Sequence, residues 1–198
     1  MASAQEITLD TNFDPSRLQV IATRPKKTVE IVEYDEEWPA RFNIIYKMIS
    51  KALGDRALSI RHVGSTSVPG LPAKAVIDVD VVVLDPRAEE NYVPYLEAAG
   101  FQFLHREPAW HEHRFFGLKE PYANIHVFGQ DSVEVVRHQI FREWLLNNAE
   151  DRDEYARIKR QAAQETREAG EGVMEYNERK QEEIRRILHR AFRANGLE

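Results

Sequence analysis

Residues able to handle phosphate and metal concentrate between Ile60 and Val83 of this 198-residue sequence. The run His62-Val63-Gly64-Ser65-Thr66-Ser67 closes an apolar stretch with a glycine and three hydroxyls. Gly64 permits a turn that a side chain would block and lets a ligand approach the backbone closely. Ser65, Thr66 and Ser67 place hydroxyls beside exposed backbone N–H groups, a concavity suited to phosphate oxygens. Asp78 and Asp80 follow, two apart on a strand-like segment, so both carboxylates project from one face. Carboxylates that close repel each other unless a cation lies between them. Hard oxygen ligands opposite a phosphate loop are the donors that Mg²⁺-assisted phosphoryl or nucleotidyl transfer requires. A Gly-Ser turn alone is common, and an isolated Asp-x-Asp marks the wet face of an edge strand. Here the flanking residues Val76–Leu84 are dense in Val and Ile and read as a central strand, where two acids are costly unless they serve something.

Other polar residues extend this set. Lys74 lies on the loop between the serine cluster and the Asp strand, within reach of the same phosphates. Arg114 could clamp an oxyanion with two parallel N–H groups. His105, His111 and His113 fall in or beside a Pro108-containing stretch. The His111-x-His113 spacing offers a weak metal pair, and a surface loop is the simpler reading. His126 alternates with Ile125 and Val127 and so faces away from them; an isolated strand histidine is more often structural. Arg142, Lys159 and Lys180 sit on helical segments with Tyr155 one turn before Lys159, a pattern that usually describes a solvated helix face. Trp38, Phe42, Phe141 and Trp144 read as core.

The elements that must position these groups alternate. Residues 1–27 lack periodicity, and Pro15, Pro25 and Lys26-Lys27 suggest a loosely packed, flexible lead-in. Thr28–Tyr34 shows strand alternation. From Glu36 the apolar residues Trp38, Phe42, Ile45, Ile49 and Leu53 recur at helical spacing, with Asp35 a suitable N-cap, Pro39 in the first turn and Gly54 as a stop. Ala57–Val63, Val76–Leu84, Phe101–Phe103, Arg114–Phe116 and Ala123–Phe128 read as strands, and Glu89–Ala99 as a helix. Everything after Ser132 is helical: Val133–Asn147, Arg152–Glu168 and Val173–Arg193. The pattern predicts an α/β or α+β sheet domain with a helical C-terminal part, divided as 1–27, 28–130 and 131–198.

Composition narrows the class further. With 42% hydrophobic and 30% charged residues the chain is ordinary for a globular protein. It has no cysteine, which excludes disulfides, thiolate catalysis and zinc–thiolate centres. A formal net charge of -6 argues against a general nucleic-acid trap or an anionic-membrane binder. No apolar run approaches bilayer length, and Met1–Asp14 lacks the features of a secretory signal. A cytoplasmic location is expected.

The residues also match a known pattern. His62-Val-Gly-Ser-Thr-Ser-Val-Pro-Gly-Leu-Pro-Ala-Lys-Ala-Val-Ile-Asp-Val-Asp80 resembles the signature of the GrpB family, a branch of the nucleotidyltransferase superfamily. Tyr34-Asp-Glu-Glu-Trp38-Pro39 through Phe42 is similar to the family's entry motif, and Asn124-Ile-His126-Val-Phe to its third core strand. Phe141-Arg142-Glu-Trp-Leu, Tyr155-Ala-Arg-Ile-Lys159 and Tyr176-Asn-Glu-Arg-Lys180 resemble its C-terminal helical motifs. The resemblance runs from about Val29 to Leu188. It implies a nucleotidyltransferase-like mixed β-sheet with flanking helices. It further implies a nucleotide site in which Gly64 and Ser65 hold phosphates, Asp78 and Asp80 ligate Mg²⁺ or Mn²⁺, and Lys159 and Lys180 meet a triphosphate. Superfamily enzymes usually supply a third carboxylate from a neighbouring strand, where this sequence has His126. Imidazole can act as base or ligand but prefers softer metals than Mg²⁺.

The expectation is therefore a metal-dependent nucleotidyl- or phosphoryl-transfer enzyme. Its substrate would be a nucleoside triphosphate and its acceptor is specified by no motif. Asp78, Asp80 and His126 are the catalytic group, and Gly64, Ser65, Thr66, Ser67, Lys74, Arg114, Lys159 and Lys180 bind nucleotide. Two alternatives stay open: a nucleotide-binding or interaction module without catalysis, and the same cleft turned to acyl or aminoacyl transfer with His126 as base.

Overall fold

A computed structural model describes residues 3–10, 14–25 and 27–198. Met1, Ala2, Thr11, Asn12, Phe13 and Lys26, all within the expected lead-in, lie outside the described residues. Six strands form one mixed sheet: β1 (Gln19–Val20), β2 (Ser59–Val63), β3 (Ile77–Val83), β4 (Gln102–Glu107), β5 (His113–Leu118) and β6 (Ala123–Gly129). Their spatial order is β1-β4-β5-β6-β3-β2, antiparallel throughout except for the parallel β3–β6 pair at the centre. The helices are α1 (Ala4–Thr8), α2 (Trp38–Leu53), α3 (Val93–Ala98), α4 (Val133–Asn147), α5 (Ala149–Glu168) and α6 (Val173–Ala194).

The pleat sorts residues between the two sheet faces. Ile77, Val79, Val81 and Val83 of β3 join Ala123, Ile125 and Val127 of β6 under Trp38, Ile45, Ile49 and Leu53 of α2 and Leu96 of α3. Each such fully buried aliphatic side chain contributes roughly 1.5–3 kcal/mol. The alternate residues Asp78, Asp80, Asn124 and His126 therefore project from the other side. That second face is flanked by the C-terminal helices, whose own core joins Leu145, Tyr155, Ala156 and Ile187 to Val68 and Leu71 of the loop between β2 and β3.

The central strands and the long helices agree with the sequence pattern to within a few residues. Thr28–Tyr34 does not form the expected strand and keeps a single bridge, Val32 to Ala73. Its apolar residues serve a helical layer instead: Val29 packs with Ala162, Ala163 and Tyr176, and its carbonyl accepts from Arg167 Nη1 at 2.9 Å. The helix expected over Glu89–Ala99 is a 3₁₀ turn at Glu89–Asn91 followed by the short α3, whose first turn contains Pro94. Asp35 does not cap α2 itself. Its carboxylate accepts from the N–H of Glu37, the residue at the N-cap position. The lead-in carries α1, whose Ile7 packs on Leu188 and Phe192, and β1, which adds to the sheet edge.

Candidate active site

The loop after β2 begins with Gly64 at φ 68° and ψ −174°, backbone geometry that side-chain-bearing residues rarely adopt. A second constraint acts at the same atom. A Cβ on Gly64 would stand 2.6 Å from Asp78 Oδ2, so only glycine lets the loop close over that carboxylate. The three hydroxyls divide their work. Thr66 Oγ1 meets His62 Nε2 at 2.9 Å and donates to the Val76 carbonyl at 3.2 Å, and Ser67 Oγ donates to the Gly64 carbonyl at 2.6 Å. Both are buried and fasten the turn. Ser65 alone is half-exposed, and it lies close enough to Tyr155 of α5 to influence that hydroxyl.

Asp78 lies on the cleft floor with its side chain 29% exposed. Asn124 Nδ2, its register partner on β6, donates to Oδ1 at 2.7 Å. His126 Nε2 stands 3.8 Å from the same oxygen. Burial alone would raise the Asp78 carboxyl, but these partners and Lys74 hold it below the usual carboxylate range. Asp80 is fully buried. Its Oδ2 accepts from His138 Nδ1 of α4 at 2.9 Å, whereas Oδ1 has no hydrogen-bond partner. A buried, unpaired carboxylate oxygen on the same strand face as Asp78 is the donor arrangement a small hard cation would satisfy.

Cations ring this floor. Lys74 Nζ and Lys180 Nζ both lie against the Tyr176 ring, 5.0 and 5.1 Å from its centroid, and both feel the Asp78 charge. Burial lowers each to about 8, with Lys180 pushing Lys74 further down and Asp78 opposing. Arg24, from the lead-in, donates to the Ala123 carbonyl at 2.9 Å and to Asn124 Oδ1. Gly117 makes room for it: a Cβ there would stand 2.8 Å from Arg24 Nη1. The result is a half-open cleft with one carboxylate at its base and fixed positive charge at its rim, suited to a polyphosphate carrying its own metal.

Other expected residues fall elsewhere. Lys159 is only 1% exposed and donates to the Pro72 carbonyl, tying α5 to the loop between β2 and β3 rather than entering the cleft. Arg114 pairs in register with Val127 and therefore projects from the opposite sheet face. It donates to Glu89 Oε1 at 2.6 Å and to the Glu112 carbonyl at 2.7 Å, so it cannot clamp a ligand beside Asp78. The stretch read as a histidine-bearing surface loop is strand at both ends, with a turn only over 108–112. His113 opens β5, is 2% exposed, and meets His126 Nδ1 through its Nε2 at 3.1 Å. Its Nδ1 lies 3.1 Å from Glu107 Oε1. Burial lowers His113 to about 4, so it is neutral near pH 7. With its one proton given to Glu107, Nε2 accepts from His126 Nδ1–H, and His126 Nε2 faces the Asp78 carboxylate. His126 is directly opposite Asp80 on the neighbouring parallel strand, at the place where a third acid was expected.

Sequence reasoning missed Arg24, Asn124 and His138. Asn124 was legible in principle, since it alternates with His126 on β6. His138 carries a weak signal, four residues after Glu134 on one helix. Nothing in the pattern around Arg24 marks it.

The fold has known counterparts. The chain is similar to the crystal structure of the conserved protein GrpB from Enterococcus faecalis, with a TM-score of 0.71 and 25% identity over 84% of this chain and 99% of that one. A UPF0157 protein of Halalkalibacterium halodurans is 44% identical over 165 residues, 83% of either chain. One of Streptomyces coelicolor is 33% identical over 147 residues, 74% of this chain and 77% of that one. A dephospho-CoA kinase of Mycolicibacterium paratuberculosis is 31% identical over 163 residues, which is 69% of this chain but 40% of the kinase. The GrpB protein family matches residues 28–190, and the chain belongs to that family.

Proposed function

We propose that this protein binds a nucleoside triphosphate with Mg²⁺ or Mn²⁺ and transfers a nucleotidyl or phosphoryl group to a second substrate. The observation that carries the reading is the pairing of Asp78 with the unpartnered Asp80 Oδ1 on one strand face, beneath Lys74, Lys180 and Arg24. Asp78 and Asp80 would hold the metal, which when bound neutralises phosphate charge and polarises the transferred group. Gly64 and Ser65 offer the loop N–H groups and a hydroxyl to phosphate oxygens. Lys74 and Lys180 balance the remaining negative charge. His126, whose Nε2 faces the cleft, would take the proton from the acceptor as the new bond forms. Partial similarity to a dephospho-CoA kinase lends modest support to phosphoryl chemistry.

A specific observation favours a second reading. His138 already neutralises Asp80, and His126 replaces an acid, so the cleft could hold a nucleotide without turning it over. Incubation with ATP, GTP, CTP and UTP plus either metal, with products read by mass over a panel of acceptors, separates the two. Metal-dependent products that disappear in Asp78→Asn support transfer; metal-dependent binding without products supports the module. Loss of neither binding nor activity in the Asp78→Asn/Asp80→Asn variant overturns both. Activity that needs no metal and no triphosphate would instead point to acyl or aminoacyl transfer with His126 as base.

A further inference from the structure

A second group of potential ligands lies on the same sheet face, two and three strands away from Asp78. His105 and Glu107 are two apart on β4, and His113 pairs with Glu107 across the β4–β5 ladder. The pleat therefore puts the last two on one face, but His105 needs a further device. Phe103 faces the helical core, and regular alternation would send His105 the same way. A register irregularity between Phe103 and His105 turns His105 to the open side, the kind of re-aiming that a bulge performs next to functional sites.

The three donor atoms converge. His105 Nε2 and His113 Nδ1 both meet the same oxygen, Glu107 Oε1, at 2.9 and 3.1 Å, and all three atoms lie within 4.8 Å of one another. Both rings are held in place: His105 stacks on Phe115 at 4.6 Å and His113 on Phe128 at 4.7 Å. The remaining nitrogen of His113 is engaged by His126, as the second nitrogen of a ligating histidine usually is. Glu107 and His113 are buried, and the His105 side chain is 22% exposed, which leaves an approach from solvent and an open position.

We propose that His105, Glu107 and His113 form a site for one Zn²⁺ ion, distinct from the Asp78/Asp80 pair. Two imidazoles and a carboxylate are the borderline donor set that Zn²⁺ prefers over Mg²⁺, with the fourth position left to water. The ion takes the place of the His113 proton that otherwise goes to Glu107. His113 then donates through Nε2 to His126 Nδ1, so the ion couples to the cleft through His126.

The test uses the full chain, stripped with a chelator and titrated with Co²⁺ followed visibly and with Zn²⁺ in competition. One equivalent should bind, giving a low-symmetry Co²⁺ spectrum that Zn²⁺ abolishes. Binding should be lost in His105→Ala, a partly exposed position, and in the near-isosteric Glu107→Gln, and kept in Asp78→Asn/Asp80→Asn. His126→Ala should weaken it by roughly tenfold to a hundredfold as an outer-shell loss. The proposal is overturned if no ion binds while the protein remains folded by circular dichroism. Binding that survives both ligand variants, or that vanishes only with the Asp pair, overturns it equally.

Discussion

His138 of α4 donates through Nδ1 to Asp80 Oδ2 at 2.9 Å, and this contact joins the C-terminal helices to the central strand. Burial alone would lower the imidazole, but Asp80, followed by Glu134 and Asp78, raises it from 6.5 to about 9. A group whose folded value is raised stabilises the fold fully below its unfolded value, and that stability is lost as pH climbs through the folded one. The advantage of wild type over a variant lacking this imidazole should therefore shrink by roughly 3 kcal/mol between pH 6.5 and 9. His138→Gln should be destabilised at pH 6 and converge on wild type above pH 9. An equal deficit at every pH would show that packing, not charge, supplies the effect.

Gly64→Ala meets two obstacles at once: the positive φ and the Asp78 carboxylate 2.6 Å from the new Cβ. The backbone strain alone costs about 1–3 kcal/mol, and Asp78 must swing away from Asn124. Both a lower melting temperature and a loss of metal–nucleotide affinity are expected. Wild-type affinity in a folded Gly64→Ala protein would mean that Asp78 is not a ligand-contacting group.

The carboxylate pair, the glycine turn and the central strands were readable because each rests on local rules. A two-residue repeat fixes which side chains share a face, and a positive-φ turn selects glycine. What escaped were facts of tertiary pairing. The chemistry of its guanidinium suggests Arg114 as an oxyanion clamp, yet its register with Val127 places it on the opposite face. His113 was read as loop because the bend at Trp110–Glu112 hides the strand start, and positive φ at His111 and Glu112 is invisible to periodicity. The resemblance puts Lys159 near phosphates, but its Nζ is used on a loop carbonyl. Arg24 reaches Asn124 across about a hundred residues, a contact that no local pattern encodes.

Lys74 and Lys180, both lowered to about 8 mainly by burial, are only partly protonated just above neutrality. A bound polyphosphate favours the ammonium forms, so binding should take up protons between pH 7.5 and 9. Calorimetric titration of ATP with Mg²⁺ in buffers of differing ionisation enthalpy measures that uptake directly. Affinity should decline as pH rises past 8, and Lys180→Met should remove much of the dependence. A pH-independent affinity over that range would place the triphosphate away from these lysines.

Lys159 makes the opposite pH prediction to His138 and so can be separated from it. Its amino group is buried, and burial first, then Lys180 and Arg160, lowers it to about 6, against 10.5 for an ordinary lysine. Between those values the unfolded chain binds a proton that the folded chain does not, so this residue makes stability rise with pH. Lys159→Met keeps the aliphatic stem packed near Tyr155 and removes the titration, at the cost of the hydrogen bond to Pro72, worth about 1 kcal/mol. The variant should equal or exceed wild type in melting temperature near pH 6 and fall progressively behind it toward pH 10. If the difference between the two proteins stays constant across that range, Lys159 is not a buried neutral amine in the folded state, and its contact with the Pro72 carbonyl is that of an ordinary charged lysine.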